Sequence, residues 1–335
     1  MHLLGITGEE KINTGRQFEL DIAKGLAVVF MIMVHTQLYF ASGAASEQAF
    51  GTIVDYLGGP PSAVVFMFVL GVGIVYTKKS SFVEFLKRGV LLILLGYALN
   101  LVRTLLSPAF NGFQDVDILQ FAGLATIFVG AVKALKLSNF KTALIGLALA
   151  FLNILLRAVD ASDVTGLFFG SEHYSFFPFL SWIFFPLAGH IFGDFLIRCK
   201  CKKRFYVLSG VLALAICLIS YVTLAIVLKT DYGWVTDEAY YHLDIKGNII
   251  FTSFTIAWIS FLAGLGAILP GFIRRTIERW SRNVTPIYII QWLLICGVSS
   301  LTGTNVFGSP AYIFIMVGMI AASDMLAYLY RRIKK

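Results

Sequence analysis

Asp21, Lys24 and His35 stand on one run that turns apolar after Lys24. Lys24 and His35 are eleven residues apart, close to three helical turns. On a helix they share a face and are separated along its axis by about 16 Å. Asp21 lies one turn before Lys24 on much the same face. Ionisable groups inside a membrane-length segment are costly and are functional candidates by default. A histidine takes up a proton near neutral pH, so it can serve as general base toward a hydroxyl or amine. The plainer alternative is a histidine hydrogen-bonded at the membrane interface.

The rest of the chain has to supply a membrane setting for this stripe, and its composition does so. Hydrophobic residues are 58% of the 335 and charged residues 14%, against about 45–50% and about 25% in soluble domains. With a mean hydropathy of +0.81, the chain reads as an all-α, polytopic, multi-pass protein of the cell membrane. The first residues carry Glu9, Glu10 and Lys11 without an apolar core and do not read as a cleaved signal peptide.

Runs of roughly 17–25 apolar residues predict ten spans, at 18–40, 59–76, 89–106, 118–135, 142–157, 176–197, 205–228, 249–269, 284–301 and 311–330. Alternate connections and the two terminal segments together hold 22 of the 27 basic residues, including Lys78, Lys79, Lys87, Arg88, the 198–204 cluster, Arg274, Arg275, Arg279 and Arg282. The positive-inside rule then puts both termini in the cytosol. The division is a cytosolic segment 1–17, one transmembrane domain 18–330 and a basic tail 331–335. The net charge of +8 thus has a topological origin and implies no nucleic-acid partner. The four cysteines read as reduced thiols, and the lone Cys199-Lys-Cys201 is weak as a metal site.

The opening segment resembles that of membrane-embedded acyltransferases, the acyltransferase 3 family and the related heparan-alpha-glucosaminide N-acetyltransferase-like proteins. Their Arg-x-x-x-x-Asp-x-x-Arg-Gly-x-Ala pattern, running into a helix that ends in His, is matched by Arg16, Asp21, Lys24, Gly25, Ala27 and His35. Lys24 stands where the pattern has arginine, keeping the charge but not the bidentate fork. Phe66–Gly73, Phe85–Arg88, Ile118–Ala125 and Pro286–Trp292 resemble later family segments more loosely, and Gln291 stands where relatives often carry histidine.

The resemblance implies transfer of an acyl group, often acetyl, from cytosolic acyl-CoA to a carbohydrate or cell-envelope acceptor across the membrane. Acyl-CoA (acetyl-CoA) is then a co-substrate and no metal is called for. Lys24, Asp21, Lys87 and Arg88 would hold the donor at the cytosolic face, and His35 would act as base near the outer face. An oxyanion needs a donor, for which Asn100, Arg103 and Gln120 are candidates. Asp115 and Asp117 are placed to orient His35 or bind sugar hydroxyls. Gln291 and Trp234, the latter in the acidic and aromatic 229–248 loop, are candidates for the acceptor. Partners beyond donor and acceptor are membrane lipids, and a homodimer is allowed without being required. His190 reads as a packing residue or a contact along the donor channel. The rival class is a proton-coupled transporter or flippase. Against it stand the absence of clear inverted halves and of paired broken helices.

Overall fold

A computed structural model describes residues 10–107, 110, 112–156, 165–169, 175–227 and 240–334. Among these residues the chain is helical, with two isolated bridges, Ala41 to Phe307 and Val116 to Ser175. The helices are α1 (Phe18–Phe40), α2 (Gly43–Ser46), α3 (Ala49–Gly58), α4 (Val65–Tyr76), α5 (Phe82–Leu106), α6 (Ile118–Ala134), α7 (Asn139–Leu156), α8 (Phe179–Trp182), α9 (Phe184–Arg198), α10 (Lys202–Val222), α11 (Ile245–Gly266), α12 (Gly271–Arg282), α13 (Val284–Thr302) and α14 (Ser309–Ile333). Eight helical segments are long and apolar enough to cross a membrane. The 23-residue α1 and the 17-residue apolar α6 occupy the other two expected spans.

Two elements differ from expectation. The second span begins at Ala49, ten residues early, because Gly59-Pro60-Pro61 does not end the helix. A π turn over Gly59–Val64 absorbs the prolines and joins α3 to α4. A π turn widens the helix and is frequent at functional sites; Gly59 and Ser62 of this one line the cavity beside His35. The second difference is α12, which occupies a stretch expected to be a basic loop.

α1 packs against α3, α4, α11, α12, α13 and α14, and its Ile22, Ala23, Ala27 and Ile32 are fully enclosed. The stripe of Asp21, Lys24 and His35 therefore runs through the protein interior. Around it, α5, α7, α10 and α14 turn residues such as Leu91, Leu94, Phe151, Val211, Phe314 and Val317 outward. Such apolar faces are unfavourable in water and suit a bilayer.

The buried α4 and α9 meet at glycines. A side chain at Gly71 would fall on the Pro186 carbonyl oxygen, and one at Gly189 on that of Phe68. Small residues at such contacts let membrane helices approach closely. The end of α4 is closed by Lys133 of α6, whose Nζ donates to the carbonyls of Ile74 (2.7 Å) and Thr77 (2.6 Å). A cation there complements the helix dipole.

Candidate functional site

The site is built where the far end of α1 meets the ends of α5 and α6 and the middle of α13. His35 lies on α1, half-buried, with its ring centroid 4.5 Å from that of Trp292 on α13. Gln291, one residue earlier on α13, donates from its amide Nε2 to His35 Nδ1 at 2.7 Å. Gln291 is fully buried and its Oε1 has no hydrogen-bond partner. Half a rotation of this amide exchanges the roles. Oε1 then accepts from Nδ1–H, and Nε2 of the ring is left with the lone pair a base requires.

Arg103, in the last turn of α5, pairs with Asp117 through Nη1 to Oδ2 at 3.0 Å. Asp117 is the N-cap of α6, its Oδ1 accepting from the Ile118 N–H at 2.6 Å. The capping role fixes the carboxylate on the helix end. The guanidinium lies 3.8 Å from the centre of the Trp292 ring and 4.5 Å from that of Phe110. Such stacking on aromatic faces is favoured by arginine. Arg103 Nε is buried without a hydrogen-bond partner.

These groups border a cavity of about 440 Å³, lined by His35, Tyr39, Arg103, Asp117, Tyr288 and Trp292, with Asp55, Tyr240 and Tyr241 on its other walls. A volume of this order suits a small-molecule ligand. Tyr241, in the connection before α11, has its phenol pushed up to about 12 by burial, so it offers a hydrogen-bond donor at neutral pH. Asp55 falls between the first two expected spans, yet it sits on α3, and its Oδ1 accepts from Gln37 Nε2 at 2.8 Å. The signal that would have found it is the apolar periodicity of 49–58, masked by the following Gly-Pro-Pro.

The proposed oxyanion donors divide. Arg103 faces the cavity. Asn100 and Gln120 are spent on backbone. Asn100 Nδ2 donates to the carbonyls of Asp115 (2.8 Å) and Phe113 (3.2 Å), and Gln120 Nε2 to that of Asp115 (3.3 Å). They hang the loop that carries Asp117. Asp115 is half-buried, and burial pushes its carboxyl up from the ordinary range. Trp234 and His173 lie outside the described residues.

At the other end of α1 a second cavity, of about 290 Å³, is lined by Lys24, Asp21, Arg16, Thr14, Gln17 and Tyr76 among others. Asp21 is held from two sides, accepting from Arg16 Nε at 2.5 Å and from Ser281 Oγ at 2.5 Å. Lys87 and Arg88 are exposed at the start of α5 and do not line this cavity. His190 is buried on α9 with Nδ1 unpartnered, and it lines neither cavity. Among the described residues no cluster of His, Cys, Asp or Glu could hold a metal ion.

α1 thus has a cavity at each end, with His35 lining one and Lys24 the other. A family model described as heparan-alpha-glucosaminide N-acetyltransferase, catalytic, matches residues 16–230. The matched stretch includes Lys24, His35, Arg103 and Asp117 and stops before α13, which supplies Gln291 and Trp292. No curated protein matches the chain.

Proposed function

The chain belongs to the heparan-alpha-glucosaminide N-acetyltransferase catalytic family, and on that premise we propose that it moves an acetyl group from acetyl-CoA, bound at the Lys24 end of α1, to a carbohydrate hydroxyl or amine beside His35. Family membership and the apolar helices make it a multi-pass membrane protein of the acetyltransferase type. The observation that carries the finer reading is His35 tied to Gln291 in the same cavity as the Arg103–Asp117 pair.

In this reading Lys24, assisted by Arg16, neutralises phosphate charge of the donor, and the pantetheine arm follows α1 toward His35. The acceptor oxygen or nitrogen attacks the thioester carbonyl carbon while His35 Nε2 takes the proton it loses. The carbonyl oxygen becomes an oxyanion, for which Arg103 supplies a fixed positive charge and an unpartnered Nε–H. Collapse breaks the carbon–sulfur bond, and the CoA sulfur receives the proton from His35. Asp117 holds Arg103, and Gln291 holds the imidazole; both are positioning residues. Asp55 and Tyr241 offer the carboxylate and phenol with which sugar hydroxyls can pair, and Trp292 serves as the surface on which Arg103 and His35 are held. The basic residues at the Lys24 end favour a cytosolic placement of the donor side.

The test is purified protein supplied with isotope-labelled acetyl-CoA and a panel of amino- and hydroxyl-bearing glycans. Label in the glycan with stoichiometric release of CoA thiol is expected. Absence of both, together with solute movement in proteoliposomes, would put the protein among transporters.

A further inference from the structure

α12 touches the donor cavity only through Ser281, which holds Asp21; its outer face takes no part in the chemistry above. Its 12 residues measure about 18 Å, too short for a hydrocarbon core of about 30 Å. Its two faces differ sharply. Ile277 and Ser281 are buried, and Ile273 and Trp280 pack on the core. On the other side Arg274, Arg275 and Arg282 are exposed. Beside them Phe272 is 65% exposed and Ile268, in the approach from α11, 77%.

The end of α14 adds to this charge. Arg331 donates to the Arg282 carbonyl oxygen, which brings Arg331, Arg332 and Lys334 alongside. Over 271–282 and 324–334, seven cations stand against two carboxylates, Glu278 and Asp324. Asp324 is taken up by Arg279 at 2.5 and 2.9 Å. Glu278 is shared between Arg274 at 3.5 Å and Arg282 at 3.7 Å. Among the described residues Arg275, Arg332 and Lys334 have no carboxylate partner.

An amphipathic helix with a basic face and exposed bulky apolar residues lies in a membrane interface and favours anionic lipid. We propose that α12 and the end of α14 form a binding surface for anionic phospholipid headgroups, with Phe272 and Ile268 entering the acyl region. The surface is anchored to the core rather than hung on a loop. Ser281 Oγ donates to Asp21 at 2.5 Å, and a side chain at Gly25 of α1 would collide with Ile277. Headgroup binding therefore stabilises the fold, independently of what reaction the protein catalyses.

The test is thermal unfolding in nanodiscs of pure phosphatidylcholine and of phosphatidylcholine with phosphatidylglycerol. Phosphatidylglycerol is expected to raise the melting temperature by several degrees, and 0.5 M salt to remove most of the rise. The Arg275→Gln/Arg332→Gln/Lys334→Gln variant is expected to lose the rise while matching the wild type in pure phosphatidylcholine. The Lys200→Gln/Lys203→Gln control, in another basic connection, is expected to keep it. Equal melting in both lipids, a salt-insensitive rise, or loss of the rise only in the control would overturn the proposal. Should the triple variant not fold, Phe272→Ser and the salt series on the wild type decide the matter on the same readout.

Discussion

Gln291 on α13 holds its side-chain amide 2.7 Å from Nδ1 of His35 on α1, across 256 positions of sequence. The amide sets which ring nitrogen carries the proton, and a buried amide can be turned over while a protonated ring cannot be moved cheaply. Gln291→Met removes this control and is expected to lower kcat by about 10- to 100-fold, the range seen when a second-sphere partner is lost. The donor KM should stay put. Gln291→Glu gives a carboxylate that stabilises the imidazolium. The acid limb of the kcat profile should then move to higher pH. A profile identical to that of the wild type would remove Gln291 from tautomer control.

His35 itself is expected to be indispensable. General-base catalysis contributes typically about 10²- to 10⁴-fold, so His35→Ala should cut labelled transfer by at least that range. The unfolding temperature should fall only modestly, since the ring borders a cavity but leaves the buried Gln291 amide without its partner when removed, and detergent elution should be unchanged. Full activity in this variant would end the base assignment.

The Arg103–Asp117 pair combines a partly buried charge contact, a helix cap and stacking on Trp292. Removing one member leaves the other uncompensated, at a cost below the about 3–5 kcal/mol of a fully buried pair. Arg103→Met and Asp117→Leu should each lower the melting temperature. The double variant should lose less than the sum, because it leaves no orphan charge. Arg103→Lys should fold yet transfer poorly, since lysine keeps the charge without the planar fork or the stacking. Strict additivity in the melting temperatures would show that the two side chains do not stabilise each other.

What the sequence made legible was local. Asp21, Lys24 and His35 share one helix, so spacing alone put them on one stripe. The helices at the ten apolar runs followed from length and composition. Contacts between distant helices could not be read that way. Gln291 was assigned to the acceptor because nothing local ties it to His35. Asn100 and Gln120 were assigned to the oxyanion by depth, and depth does not reveal that their amides are consumed by the carbonyls of Phe113 and Asp115. Asp55 was hidden by a Gly-Pro-Pro that reads as a helix stop and is in fact a π turn. α12 was hidden by its charge, although Ile273, Ile277 and Trp280 recur with helical period.

Lys24 is the side chain through which the donor reading can be examined. It lines the 290 Å³ cavity with Arg16 and Asp21. Lys24→Ala should raise the KM for acetyl-CoA several-fold with a smaller change in kcat, and Lys24→Arg should preserve or lower that KM. Neighbouring Asp21 is locked between Arg16 and Ser281, so Ser281→Ala should produce a weaker version of the same KM rise. A KM unchanged in Lys24→Ala would separate this cavity from the donor.

The reciprocal glycines of α4 and α9 give the sharpest prediction on folding. A methyl group at Gly71 would meet the Pro186 carbonyl oxygen, and one at Gly189 the Phe68 carbonyl oxygen. Both oxygens are backbone, so no side-chain rotation can make room; the helices themselves must separate. Neighbouring Gly73 meets nothing within 4 Å and serves as the control. Gly71→Ala and Gly189→Ala should each destabilise the fold by about 1–3 kcal/mol, the usual cost of overpacking a close contact. Gly73→Ala should be neutral or slightly stabilising, because alanine is the better helix former. In a membrane the association of helices rests on packing more than on water exclusion, so the loss should appear as lower folded yield and faster thermal aggregation. Equal melting temperatures for Gly71→Ala and Gly73→Ala would mean that α4 and α9 do not pack at this distance.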